Sequence, residues 1–381
     1  MRAKVRLLPE VIMAGAALAV LDLFALAFRL PIMFPTPARA QFLGIHYIYP
    51  LLAAALLGGI MYACGKRNET RRLLVAMPAY VIVLFVHFNL KLWIPHINPV
   101  LFDRLFWRID EQFRPLIELC MAIRINLFPL IPASANAYAL IFIFMFYISY
   151  AYHAVRTPAH IGKVIVGVLT MQLLGALAYM VMPAIGPFVF ERGVNPVNTQ
   201  SQLEMLQVFR QSVLGGPDWL VANGGGSFTS GLAAMPSLHN AGALMFLLFA
   251  WKYGKPLVPP FALAFGFIVI TSIATRWHYV ADLPVGWLLG WVSFRIGERF
   301  GDAPNSMTFS AKIETQPFLP GFAALPASQS GQYGFGQTLA ELRPLQRVKV
   351  RFDQLRFYRR QRPAVQPHHV DPRIERRRGE G

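Results

Sequence analysis

Long uncharged apolar runs constrain this 381-residue chain more than any other feature. A helix needs about 20 such residues to cross a hydrocarbon layer of about 30 Å. Five runs carry no charge from end to end: Phe42 to Cys64, Leu73 to Leu90, Pro132 to Tyr152, Val164 to Ile185 and Pro256 to Thr275. Three more are weaker. Val11 to Phe28 contains Asp22, Pro236 to Trp251 is short and opens on polar residues, and Tyr279 to Glu298 is uncharged only from Leu283 to Phe294. Backbone facing lipid must satisfy its own hydrogen bonds, so each run reads as a helix. Composition agrees. Hydrophobic residues make up 55% of the chain and charged residues 14%, against about 45–50% and 25% in soluble domains, which excludes disorder, a disulfide scaffold and a coiled coil. The predicted fold class is an all-α polytopic membrane helix bundle with about eight transmembrane helices.

A net charge of +17 invites a nucleic-acid reading, and the placement of the charges answers it. With a cytoplasmic N-terminus, 26 of the 36 lysines and arginines fall on the inner side and 10 on the outer. That is the positive-inside pattern, and it places both termini in the cytoplasm of an integral plasma or inner membrane protein. No nucleic acid is needed as a partner. Cys64 and Cys120 fall on opposite sides and are expected to stay unpaired.

Between the spans, residues 96 to 131 mix apolar and charged positions. They read as one or two amphipathic helices, lying in the interface or packed over the mouth of the bundle. Residues 186 to 235 form a second outer connection that includes the turn-rich Gly224-Gly225-Gly226-Ser227. Residues 301 to 381 turn to Pro, Gly, Ser, Gln and arginine clusters and read as a basic, mostly disordered cytoplasmic tail, with a short helix possible around 339 to 361. Ala38-Arg39-Ala40 loosely matches a signal-peptide cleavage site, but the apolar run before it is long for one, so retention of the first helix is expected.

Histidines and carboxylates at membrane depth are functional candidates by default, because burying them is costly. His153, His160, His368 and His369 fall on the inner side or in the tail, and His46, His87 and His96 near outer helix ends, where polar contacts suffice. Two histidines differ. His239 lies in Met235-Pro236-Ser237-Leu238-His239-Asn240, where proline, the free N–H groups of a first helical turn and the Ser237 hydroxyl suit an anion. His278 lies in Thr275-Arg276-Trp277-His278-Tyr279-Val280-Ala281-Asp282. The charge-derived topology puts both at the outer face. On a helix, His278 and Asp282 would share one face, and the carboxylate would fix the imidazole tautomer so that the other nitrogen can attack. Arg276 adds a planar cation suited to phosphate oxygens. Together these groups suit phosphoryl transfer through a covalent phosphohistidine. A metal site would need more ligands than two histidines and a carboxylate supply nearby, so neither metal nor cofactor is expected.

Pro236-Ser237-Leu238-His239 and His278-Tyr279-x-x-Asp282-x-x-x-Gly286 resemble the second and third signature motifs of the type 2 phosphatidic acid phosphatase superfamily. The proline-rich Met182-Pro183-Ala184-Ile185-Gly186-Pro187 is similar to its inositolphosphotransferase branch, which contains the inositol phosphorylceramide synthases. The resemblance implies a six-helix catalytic core over residues 73–300, two accessory N-terminal helices within 1–72, and the tail outside it. It implies His278 as nucleophile, Asp282 as its orienting partner, His239 as the acid for the leaving group, and Ser237, Arg276 and Arg192 as phosphate-binding residues. The superfamily's first motif is absent, Arg108-x5-Arg114-Pro115 differing in both spacing and residue. Ser272 stands where the third motif of the phosphatases has arginine. The implied activity moves a phospho-headgroup, phosphoinositol among the candidates, from a phospholipid donor to a lipid alcohol. A phosphatase acting on a lipid or polyprenyl phosphate, with water as acceptor, is the alternative. From another class, a non-catalytic transporter or scaffold is weighed against both, although transporters place ionisable groups near the midplane rather than at one face.

Overall fold

The computed structural model describes residues 8–36, 49–127, 134–191, 196–229 and 235–301. Among them the chain is helical, without strands. In chain order the helices are α1 (Pro9–Phe28), α2 (Tyr49–Ala63), α3 (Arg67–Ile97), α4 (Asp103–Gln112), α5 (Arg114–Leu127), α6 (Ser134–Val155), α7 (Ile161–Tyr179), α8 (Pro196–Asn223), α9 (Leu238–Tyr253), α10 (Val258–Ala274) and α11 (Asp282–Phe300). Each of the eight candidate spans contains a helix among its described residues. By length and composition, five helices are suited to crossing a membrane: α1, the Thr70–Ile97 part of α3, the Ala137–Val155 part of α6, α7 with the turn before it, and α10 with the turn before it. The chain is thus an integral membrane helix bundle. α3, with 31 residues, extends about 46 Å at 1.5 Å per residue, so its polar first turns stand beyond a layer of about 30 Å. The tail, Ala38-Arg39-Ala40 and His46 lie outside the described residues.

Small residues set the packing of α11. A Cβ on Gly286 would lie 2.5 Å from the Ser237 carbonyl oxygen, and one on Gly290 would collide with the Ala241 carbonyl oxygen of α9. Gly297 makes the same close approach to the Lys163 backbone of α7. Glycines here let helix backbones meet without a side chain between them. They thereby bring the N-terminal ends of α9 and α11 together, where Ser237 N–H donates to the Asp282 carbonyl oxygen at 3.3 Å.

Three elements differ from expectation. The span over Val164 to Ile185 is helical only to Tyr179; beyond it, Pro183, Pro187 and Gly186 at φ 133° turn the chain. The second outer connection contains the long helix α8, bent at Gly216 (φ 61°) before Pro217. Its charges Glu204, Arg210 and Asp218 kept it out of the apolar scan, yet it buries Gln202, Leu206, Phe209, Ser212 and Leu220. A carboxylate at membrane depth ordinarily pairs with a polar group of a neighbouring helix, yet Asp22 is exposed on α1 and has no polar partner among the described residues. The buried stripe of α1 runs through Glu10, Ala14, Ala17 and Leu21, and the next residue points about 100° away from it.

α1 packs against α3 and α7. At that end of the bundle the Glu10 carboxylate accepts from Arg72 Nε at 2.9 Å, and Arg72 Nη2 donates to the Gly301 carbonyl oxygen at 2.5 Å. The α4 and α5 pair covers the other end. Phe106 packs with Ala184, Met235 and Tyr279, while Ile117 and Cys120 pack with Ile273, Ala274 and Leu283. Of the two arrangements open to residues 96–131, these helices take the one over the bundle mouth. Cys64 and Cys120 are both free thiols.

Candidate active site

The site gathers at the N-terminal ends of α9 and α11 and the turn between α10 and α11. α9 starts at Leu238, with Ser237 in the N-cap position and Pro236 before it. The proline therefore precedes the helix instead of occupying its first turn. Ser237 is fully buried, and its hydroxyl oxygen accepts from Asn240 Nδ2 at 2.9 Å. The same amide donates to Ser272 Oγ at 3.2 Å. With the oxygen occupied as an acceptor, the hydroxyl proton of Ser237 is available to donate elsewhere. His239, half-buried, lies between the rings of Tyr138 and Phe142, with centroids 4.8 and 4.9 Å away.

His278 does not share a helix with Asp282. α10 ends at Ala274 and α11 begins at Asp282, so the histidine sits in the connecting turn. The contact forms all the same: His278 Nδ1 lies 3.2 Å from Asp282 Oδ2. That oxygen also accepts from Tyr279 N–H at 2.8 Å, and Asp282 N–H donates to the Tyr279 carbonyl oxygen at 3.0 Å. A carboxylate reaching back over the turn before its own helix does the work that helical i,i+4 spacing was expected to do. Pro284 falls in the first turn of α11, where it needs no kink. His278 is 6% exposed and Asp282 fully buried.

Arg276 is 1% exposed and takes φ 58°, a left-handed conformation uncommon outside glycine. Its Nη2 donates to Asp110 Oδ2 at 2.9 Å, and its Nε lies 2.9 Å from Glu191 Oε2. Trp107 lies beneath the guanidinium at 5.5 Å. Nη1 is buried with no hydrogen-bond partner among the described residues, which leaves part of the cation for an anion. Arg192 lies outside the described residues.

Motif reading missed the carboxylates of α4. Asp103 Oδ1 accepts from Ile185 N–H at 3.0 Å, from Gly186 N–H at 2.9 Å and from the Tyr279 hydroxyl at 2.8 Å. Burial pushes this carboxyl above the usual range, and these donors act against the shift. Asp110 Oδ1 accepts from Val280 N–H at 2.8 Å. One signal was available: the two aspartates stand seven residues apart, with Phe106 between them, on the buried stripe of an amphipathic helix. Asn240 and Glu191 carried no motif signal.

Residues 128–296 match the family model of the PAP2 superfamily. The match runs from α6 into α11 and includes both histidine segments. It reaches the superfamily level and does not distinguish an inositolphosphotransferase branch. No curated protein and no solved structure matches the chain.

Proposed function

We propose that this chain is a membrane enzyme that moves the phospho-headgroup of a phospholipid to a lipid alcohol through a phosphohistidine at His278. The observation that carries the reading is the contact between His278 Nδ1 and Asp282 Oδ2, formed beside the helix end that bears Ser237 and His239. Held by Asp282 in the tautomer with its proton on Nδ1, the imidazole presents the Nε2 lone pair to phosphorus. Nε2 attacks, the bond from phosphorus to the leaving oxygen breaks, and His239 supplies the proton that oxygen needs. The acceptor hydroxyl then attacks the phosphoramidate while His239 takes its proton, the P–N bond breaks, and His278 is restored. Ser237, the first N–H groups of α9, Arg276 through Nη1, and Arg192 are assigned to the phosphate oxygens. These steps use no metal or cofactor.

The finer assignments are an inositol phospholipid as donor and a ceramide-like or diacylglycerol-like acceptor. They rest on the proline-rich segment at 182–187. A six-helix core over 73–300 with accessory helices before it follows from the resemblance of the motifs to the superfamily, and cytoplasmic termini with an extracytoplasmic site follow from the charge distribution. Water as acceptor is the second reading, favoured by the superfamily match itself, and it would make the enzyme a phosphatase of lipid or polyprenyl phosphates.

The test supplies purified protein with headgroup-labelled phospholipid, with and without a lipid alcohol. Label in a new lipid supports transfer, and release of free phosphate supports hydrolysis. Vanadate, which imitates the five-coordinate transition state, should inhibit either reaction. No turnover and no labelled protein across a panel of phospholipids would favour a transporter or scaffold instead.

A further inference from the structure

We propose that α4 is a positioning element for His278, acting through two carboxylates that grip the turn on both sides of it. Asp110 spans the histidine: one oxygen takes the Arg276 guanidinium two residues before it, and the other takes Val280 N–H two residues after it. Asp103 holds the next residue through the Tyr279 hydroxyl and joins it to the Ile185 and Gly186 N–H groups. Both carboxylates are buried, where an unmade hydrogen bond is costly and a made one is geometrically demanding.

The turn has little regular structure of its own to hold it. It lies between two helices, and Arg276 adopts a backbone conformation that persists only where the surroundings over-determine it. Further bonds come from Phe188 N–H to the Arg276 carbonyl oxygen at 3.2 Å, Gln202 Nε2 to the Thr275 carbonyl oxygen at 2.9 Å, and His278 N–H to the Ser272 carbonyl oxygen at 3.3 Å. Among these, only Asp110 binds on both sides of the imidazole. Neither α4 carboxylate needs to touch substrate: their effect reaches the chemistry through the direction in which the ring points. α4 lies outside the segment matched to the PAP2 superfamily, and the turn it grips lies inside that segment.

The proposal rests on His278 being the nucleophile, and its test separates the two ideas. Asp110→Ala, Asp110→Asn and Asp103→Asn are prepared in the full chain in lipid nanodiscs, with short-chain phosphatidic acid as probe. Asp110→Ala should lower kcat about 100-fold, the cost of misplacing a reacting group by about 1 Å. Asp110→Asn keeps an acceptor for Val280 N–H and should recover part of that loss. Carbethoxylation by diethylpyrocarbonate, read peptide by peptide by mass spectrometry, needs no turnover. Loosening the turn should raise the rate at His278 severalfold in Asp110→Ala and leave His239 unchanged. If wild type fails on the probe while His278 labelling still responds, hydrolysis of a lipid phosphate falls as its reaction and the grip stands. Unchanged kcat together with unchanged His278 labelling overturns it, as does a fall in activity that only tracks the amount of folded protein.

Discussion

The two histidine segments are held in different ways. His278 sits in a turn fastened by buried hydrogen bonds from α4, α8, α11 and the 185–188 segment. His239 rides on the first turn of α9 between two aromatic rings and is only half-buried. Directional bonds fix the turn that carries His278 to within tenths of an ångström, while the half-buried His239 is packed against the Tyr138 and Phe142 rings and keeps an edge toward solvent. The contrast suits the proposed roles: a nucleophile must meet phosphorus along one line, and a proton donor must follow an oxygen that moves as the bond breaks.

Four substitutions can break or sharpen that contrast. The largest effect is expected from His278→Ala, which should lower turnover by at least about 10⁴-fold and abolish labelled intermediate, since no other group can form the covalent bond; full activity would end the mechanism. His239→Ala should cost about 10²- to 10⁴-fold and still allow slow formation of labelled protein. The deficit should shrink with a phenolate leaving group that needs no proton, and an equal deficit with every leaving group would contradict its acid role. Asp282→Asn should cost up to about 10⁴-fold, because the amide no longer holds the imidazole in the working tautomer, read as a fall in kcat. Smallest in activity is Gly290→Leu, which tests the seam joining the two halves. The side chain has no room against the Ala241 carbonyl, so unfolding should become easier by about 1–3 kcal/mol, measured by thermal scanning in detergent. Unaltered stability would mean that the close approach of α9 and α11 is dispensable.

Much of the frame was legible before any coordinates. The scan for apolar runs located all five helices that are long and apolar enough to cross a membrane among the described residues, because a bilayer imposes its thickness on a helix irrespective of what the helix packs against. The pairing of His278 with Asp282 was also legible, although the expected route through one continuous helix was wrong. Four-residue spacing satisfies a turn capped by its following helix as well as it satisfies a helix. Less was visible in α8, whose polar exposed face and buried Gln202 and Ser212 broke the apolar pattern. Asp103 and Asp110 were hidden for a related reason. A carboxylate on a short amphipathic helix looks like solvent-facing charge until something is found to cover it.

Composition and spacing by themselves determined the solvent this chain lives in and the helices long and apolar enough to cross it, since these depend on local chemistry and the fixed rise of a helix. Tertiary structure alone decided that Gly286 and Gly290 bring α11 against α9, that Arg276 is shared between Asp110 and Glu191, and that α4 closes over the His278 turn. Those contacts join residues as many as 170 positions apart. They exist only because helices of matching shape exclude everything else from between them, a condition no stretch of sequence expresses on its own.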